Sequence, residues 1–530
     1  MRSSVGRVVK SGLSLLLALV ASSGCRLGQS GIEPPNDQIF LPSGLAIDPA
    51  GDWLYVVNSN NNLRFNAGTL LPLDLTKAKG HRDLGTAGWP ACSTTFFDDD
   101  EDPAALADDL AHPCCVDLVN PHIINCNGRA YAQADATVEI GSFGGSTAVQ
   151  HLSSDATLSR LFIAVRADPS VTFVDIRRLS ADGSRGTPEL RCTGARDDST
   201  SPQSRNPFCD DHWRVRRPSG ADVEDNVLPE EPHSLTLDEK LGILYVGHLA
   251  VTVRGTSQGG GISTIDANAL INPNADNVIN SLARTVFPTS PVQGVTAVTL
   301  PNQDKPNFIV HAVSRSGPDI TGMILLCQSE PDGCDPNNPS RDLSLAPGEQ
   351  IKSSAFQPSG TDIRSFLLSR DPNDPNDAYD PNSPIEPRLG YVLHRNTPES
   401  SGSTNPEALV VLDRGPGPNG EPSNQASGIL EICSGATNME FHDTGRGNLL
   451  FITCYEGGQI YVVDTKALLV KAIIEAGHGP NALTFSPTDR TIAFVADYAD
   501  NDLAVIDLEP GSPTEYMVVQ RIGFPHSVTQ

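Results

Sequence analysis

Between residues 480 and 508 apolar and polar positions alternate in three short bursts. Leu483 and Phe485 alternate with polar neighbours, Ser486-Pro487-Thr488-Asp489 follows as a turn, and two β-branched-rich runs, 492–496 and 503–506, come after it. This pattern predicts strand, turn, strand, turn, strand. Residues 42–58 overlay it without a gap, with Pro42 on Pro480, Leu45 on Leu483, Ile47 on Phe485, Pro49 on Pro487 and Val57 on Val495. Equivalent starts fall near Gly145, Pro232, residues 293–296, Ile363 and Ala436, which makes seven units, with a closing fragment at Pro525. The starts at 436, 480 and 525 are 44 and 45 residues apart, the length that four short strands and their turns require. Earlier spacings are longer, so those units carry insertions.

Composition sharpens this reading. The 530 residues include 46 Gly and 42 Pro but only 4 Met, which suits many short strands joined by turns and not helical packing. Seven four-stranded antiparallel units stack radially only as an all-β, seven-bladed β-propeller, whose closed ring buries both faces of each sheet. The expected organisation is residues 1–24 for targeting, 25–37 as a tether, and 38–530 as one propeller with insertions at about 75–133, 193–231 and 371–387. The motifs LYVVN (54–58), LYVGH (244–248) and IYVVD (460–464) resemble the YVTN or YncE-like propeller repeats. That resemblance implies a first strand lining a central channel and a fourth outermost, a place that residues 517–523 fit. It also implies relatives that are exported binding proteins, surface-layer repeats or lactonase-like enzymes.

Residues 1–24 join a basic start (Arg2, Arg7, Lys10) to an apolar core at 13–21 and the small residues Ser22, Ser23 and Gly24 before Cys25. The core is too short to span a bilayer. The segment resembles a bacterial lipoprotein signal, which implies acylation of Cys25 and an anchor in the membrane. Ser22 departs from the family's Leu, so ordinary secretion is the alternative. Arg26 after the cysteine implies, by the same resemblance, the outer membrane of the cell envelope, facing the periplasm or the surface. A net charge of −27 excludes a phosphate backbone as an expected partner.

Ten cysteines follow Cys25, an even number that in an exported chain predicts five disulfides. Spacing pairs Cys192 with Cys209, Cys327 with Cys334 and Cys433 with Cys454, while Cys92 and Cys126 each take one of the adjacent Cys114 and Cys115. These bonds are expected to pin loops. No CxxC or CxxCH supports a metal or haem reading.

Catalytic signatures such as GxSxG, HExxH and a Walker loop are missing, and Gly259, Gly260 and Gly261 read as a hairpin turn. Neither the acidic run at 97–102 nor the Asp-Pro-Asn repeats at 371–384 has EF-hand spacing, so both read as solvated loops, with calcium the minority reading. Arg214, Arg216 and Arg217 beside Trp213 read as partners of local acids. One column of the repeat stands out. The residues ending the second strands align as Asn58, Val165, His248, His311, His394, Cys454 and Ala496, with His233 at the same rim. His233, His248, His311 and His394 are the candidate ligand-contact residues, since histidine serves both metal binding and proton transfer. No cofactor and no metal are expected. The reading is an exported, lipid-anchored propeller that binds a protein, peptide or glycan. The alternatives are a lactonase-like or metal-assisted hydrolase and a structural envelope protein.

Overall fold

The computed structural model describes residues 31–92, 110–152, 157–179, 185–193, 207–216, 228–253, 256–268, 295–299, 309–314, 320–327, 343–351, 362–369, 389–395, 407–415, 423–443 and 448–523. Seven antiparallel sheets follow one another along the chain as the blades of a β-propeller. Their first strands are Pro42–Ile47, Gly144–His151, Pro232–Asp238, Val295–Thr299, Ile363–Ser369, Ala436–Asp443 and Pro480–Phe485. All seven coincide with the starts read from the repeat. In blades 1, 2, 4, 5, 6 and 7 four strands follow in order outward; blade 3 has three among the described residues.

The middle strands are buried along their length, as in Trp53–Asn58 and Ile492–Asp497, because a neighbouring blade covers each face. One apolar layer joins Phe451, Ile460 and Val462 of blade 6 to Leu483, Val495 and Ile506 of blade 7. Another joins Tyr55 and Val57 of blade 1 to Phe162, Ile163 and Phe173 of blade 2. Polar links cross the same seams. Asp48 accepts the amides of Asp52 and Trp53 at 2.8 and 2.7 Å, closing the turn between the first two strands, and also pairs with Arg178 of blade 2. Both partners are buried, and since Arg178 Nη2 also donates to Asp52 at 3.0 Å, it is removing Arg178 that would strand a buried charge, that of Asp48.

The first insertion is more than a loop. It opens with an α-helix, Leu75–Asp83, capped by Asp74, whose carboxylate accepts from the amides of Thr76 and Lys77. It then sends two strands, Cys114–Val116 and Ile124–Asn127, across to blade 7. Ile124–Asn127 runs parallel to the outer strand Met517–Gly523, in register from Gln520 opposite Ile124 to Gly523 opposite Asn127. Blade 1 thus clasps the outer edge of blade 7 and closes the ring. Leu45, Leu54 and Val56 share one core there with Ile492, Phe494, Ile522 and Ile124.

Among the described residues four cysteine pairs lie at bonding distance: Cys92–Cys115, Cys114–Cys126, Cys192–Cys209 and Cys433–Cys454. The vicinal cysteines divide between Cys92 and Cys126 as their spacing implied. The expectation that disulfides pin only loops needs correction, because Cys114 and Cys126 are directly opposed in paired strands of the clasp and are both buried. Gly259 and Gly261 belong to the strand Thr256–Asp266, not a turn, since the hairpin extends past them to Val253. In the second insertion Trp213 is buried and Arg214–Arg216 forms a strand against blade 2. Arg214 pairs with Asp168 and Arg216 with Asp211, so these cations are countered locally. Cys25, Cys334, Arg217, the acidic run at 97–102, the insertion at 371–387 and the fragment at 525–530 lie outside the described residues.

A closed ring of self-burying blades should survive reduction. Far-ultraviolet circular dichroism is expected to stay β-rich in reductant while the melting temperature falls. Cys114→Ser with Cys126→Ser, which opens a bond of sequence separation 12, should cost about 3 kcal/mol by the chain-entropy account. Complete loss of the β signal in reductant at room temperature would show that the bonds hold the fold.

Candidate functional site

Every first strand carries an irregularity at its start. The register against the second strand shifts between Pro42 and Gly44, Gly144 and Thr147, Pro232 and Ser234, Val295 and Ala297, Ile363 and Ser365, Ala436 and Asn438, and Pro480 and Ala482. The residues passed over are Ser43, Gly145 with Ser146, His233, Thr296, Arg364, Thr437 and Asn481. A β-bulge re-aims its extra residue out of the ladder. The register shifts at the same end of the inner strand in all seven blades, and in the six whose side chains are described there a polar residue stands at it. Apolar alternation does not report this ring; its signal in the sequence is a polar residue one position after the strand opening, or two in blade 2.

Part of the ring is spent on stitching blades together. Asn481 Nδ2 donates to Ser43 O at 3.2 Å, Ser43 Oγ donates to Gly144 O at 2.6 Å, and Ser146 Oγ accepts from Leu235 N at 3.1 Å. Gly44 makes this approach possible, since a Cβ there would stand 2.2 Å from Gly145 O. His233, half-buried, and Arg364, whose Nη2 donates to Asp362 at 2.9 Å, add the ionisable groups. Around them the rim charges pair off as Arg166 with Glu231 and Arg395 with Glu456.

The histidine column resolves differently. Pro232 and Ile363 do oppose His248 and His394, but in blade 4 Val295 opposes Ser314, and His311 pairs three residues earlier with Thr299. In blade 7 the position belongs to Asp497 instead of Ala496. The structure therefore does not align three histidines in consecutive blades. His248 is fully buried, its Nδ1 3.0 Å from Glu230 O and its Nε2 2.9 Å from Ser263 Oγ. His311 lies edge-on to Phe366, and His394 is buried too. Burial pushes both His248 and His394 down to about 4. Several members of the column tie the second strand to the segment entering the first: Asn58 donates to Gln38 O, His248 faces Glu230 O, and Cys454 bonds Cys433. Of the four candidate histidines, His233 is the one that keeps exposure on the rim. Among the described residues no group of three or more His, Cys, Asp or Glu could hold a metal ion.

Glu440 was not anticipated. It sits on the inner strand of blade 6 opposite Phe451, at the level where other blades carry Ala46, Thr236, Leu367 and Thr484. Its carboxyl keeps some solvent contact, yet desolvation by the surrounding protein pushes it up to about 7. The sign for stability follows directly. The native state keeps this proton up to about 7, whereas an unfolded chain releases it near 4.5, so stability is lost as pH rises between those values. His248 and His394 act oppositely, losing stability as pH falls from 6.5 towards 4. Glu440→Gln should therefore match the parent in urea unfolding at pH 4.5 and exceed it at pH 8. Equal midpoints at pH 8 would mean that the carboxyl is fully hydrated.

No family model matches the chain. No curated protein matches it in sequence. Solved structures similar to it include hydrazine synthase of Kuenenia stuttgartiensis, at 10% identity and a TM-score of 0.44, covering 90% of this chain and 98% of that one. A candidate 6-phosphogluconolactonase of Bacteroides fragilis aligns at 12% identity and a TM-score of 0.39, covering 83% and 86%. Its counterpart from Bacteroides uniformis gives 12% and 0.39, covering 81% and 83%.

Proposed function

We propose that this chain is an exported, lipid-anchored propeller of the bacterial cell envelope that recognises a peptide or glycan on the rim where its inner strands begin. The observation that carries the reading is the bulge opening all seven inner strands, which gathers polar side chains around one mouth of the channel. With Arg364 beside Asp362 and Arg166 beside Glu231, the rim offers paired charges and hydrogen-bonding groups. That chemistry suits hydroxyls and amides better than a strongly charged ligand. Export is supported by four cysteine pairs at bonding distance, since such bonds persist in oxidising compartments. The anchor would be the acylated Cys25, and the outer membrane its address.

A second reading rests on Glu440. A carboxyl poised near 7 on an inner strand has the acidity that general acid or base catalysis favours, as a lactonase-like hydrolase would need.

Three measurements separate these readings. Cys25→Ala expressed in a diderm host should release the protein from membranes or leave it unprocessed; identical soluble fractionation of both forms would remove the anchor. Glycan and peptide arrays probed with the mature protein should give a signal that His233→Ala with Arg364→Ala reduces at least tenfold, and an unchanged signal would clear the rim of the role. Turnover of a lactone or ester panel that Glu440→Gln abolishes would replace binding with hydrolysis.

A further inference from the structure

A groove of about 950 Å³ runs between blades 6 and 7 beside the hairpin of the first insertion; none of the bulge residues lines it, though Glu456 of the rim does. Its size is that of a ligand site. Tyr455 and Tyr516 line it, with Glu475, Asp500, Gly477 and Arg521. Each feature of this wall favours one chemistry.

Consider first the charge. Asp497 and Asp502 are both buried and share the Arg521 guanidinium, whose Nη1 is 3.2 and 3.5 Å from their carboxylates. Asp497 Oδ1 has no hydrogen-bond partner among the described residues. Asp500 adds a third carboxylate, accepting the His478 amide at 2.7 Å. At Gly477 the wall is bare backbone laid over two of them: a Cβ there would stand 2.5 Å from Asp497 Oδ2 and 2.8 Å from Asp500 Oδ2. Burial holds Asp497 towards its protonated form, so the charge here comes from Asp502 behind the wall and Asp500 and Glu475 on the groove surface, against Arg521 and the His478 ring 2.8 Å from Asp500 Oδ1. The local field attracts a cation.

The aromatic surface selects what kind of cation. Tyr455 stands beside Tyr498 with ring centroids 6.1 Å apart, and Tyr516 already carries an ammonium, the chain's own Lys471 Nζ, 5.4 Å from its centroid. A tyrosine face attracts an organic ammonium that keeps an apolar stem, whereas a bare metal ion would gain little from it. Among the described residues, no cluster here has the geometry to hold a metal.

We propose that this groove binds an alkylammonium group, presented by a lysine side chain of a peptide or by a free polyamine. Tyr455 and Tyr516 pack the alkyl stem, and Glu475 and Asp500 receive the ammonium. The site uses none of the bulge residues of the rim, so it stands or falls separately from the peptide or glycan reading.

Isothermal titration of the mature full chain tests it with three probes: spermidine, an uncharged-ended tripeptide with a central lysine, and the same tripeptide with Nε-acetyllysine. At least one charged probe should bind with one-to-one stoichiometry and the acetylated peptide should not. Binding of spermidine alone identifies a free amine as the source, and binding of the peptide a lysine side chain. Glu475→Gln with Asp500→Asn keeps the hydrogen-bond acceptors and removes the charge; it should weaken binding at least tenfold, and Tyr455→Leu should weaken it independently. His233→Ala, on the rim in blade 3, should leave it unchanged. Absence of binding by both charged probes, equal binding of the acetylated peptide, or an affinity unchanged in the double variant would each overturn the proposal.

Discussion

The structure depends on closing a ring between sheets that lie at opposite ends of the chain. Each blade is built from its own stretch of sequence, so the seam between blade 7 and blade 1 has no covalent continuity to hold it. Burial against a neighbour is what stabilises a blade, and an open seam would leave two apolar faces in water. The chain meets this with the hairpin from blade 1's insertion, which continues blade 7 outward through a parallel pairing. Cys92–Cys115 and Cys114–Cys126 cross-link that hairpin. Leu41 N donates to Asn501 Oδ1 at 2.7 Å across the same seam, and Asn481 reaches Ser43.

Closure also accounts for the rim. Seven inner strands converging on one axis crowd at their starts, and the bulge after each opening residue turns a side chain out of that crowding. Gly44 fits where the inner strands of blades 1 and 2 nearly touch. Polar side chains placed there serve the ring, as Ser43 and Asn481 stitch neighbours, while His233 and Arg364 bring the ionisable groups that the proposed ligand would meet. The interior positions next to them, Asn58, His248 and Cys454, hold the loops that deliver the chain to each inner strand.

The excess of acid is unevenly used. On the rim Glu231, Asp362 and Glu456 each meet an arginine, so the face is polar without a strong field. Between blades 6 and 7 Asp497, Asp500 and Asp502 gather around Arg521, with His478 against Asp500. Burial, then the neighbouring Asp502, holds the Asp497 carboxyl well above the usual carboxylate range. These two surfaces of one molecule would attract different ligands.

By itself the sequence determined the blades. Alternating apolar positions report burial on two faces, which is a local property of each strand, so Pro42, Pro232, Ile363, Ala436 and Pro480 marked true strand starts. Close cysteines such as Cys192 and Cys209 were legible for the same reason: a short loop brings its ends together whatever surrounds it. Blade 4 marks where this fails. Residues 300–308 separate its first two strands without a periodic pattern, so the alignment slipped by three and put His311 where Ser314 stands. Only the tertiary structure decided that Ile124–Asn127 belongs to the edge of a sheet some 400 residues later, that the protein around Glu440 raises its carboxyl and that Gly477 lies over two carboxylates. Those outcomes arise from groups distant in the chain meeting in space, and the period of a strand carries no record of which blade will lie beside it.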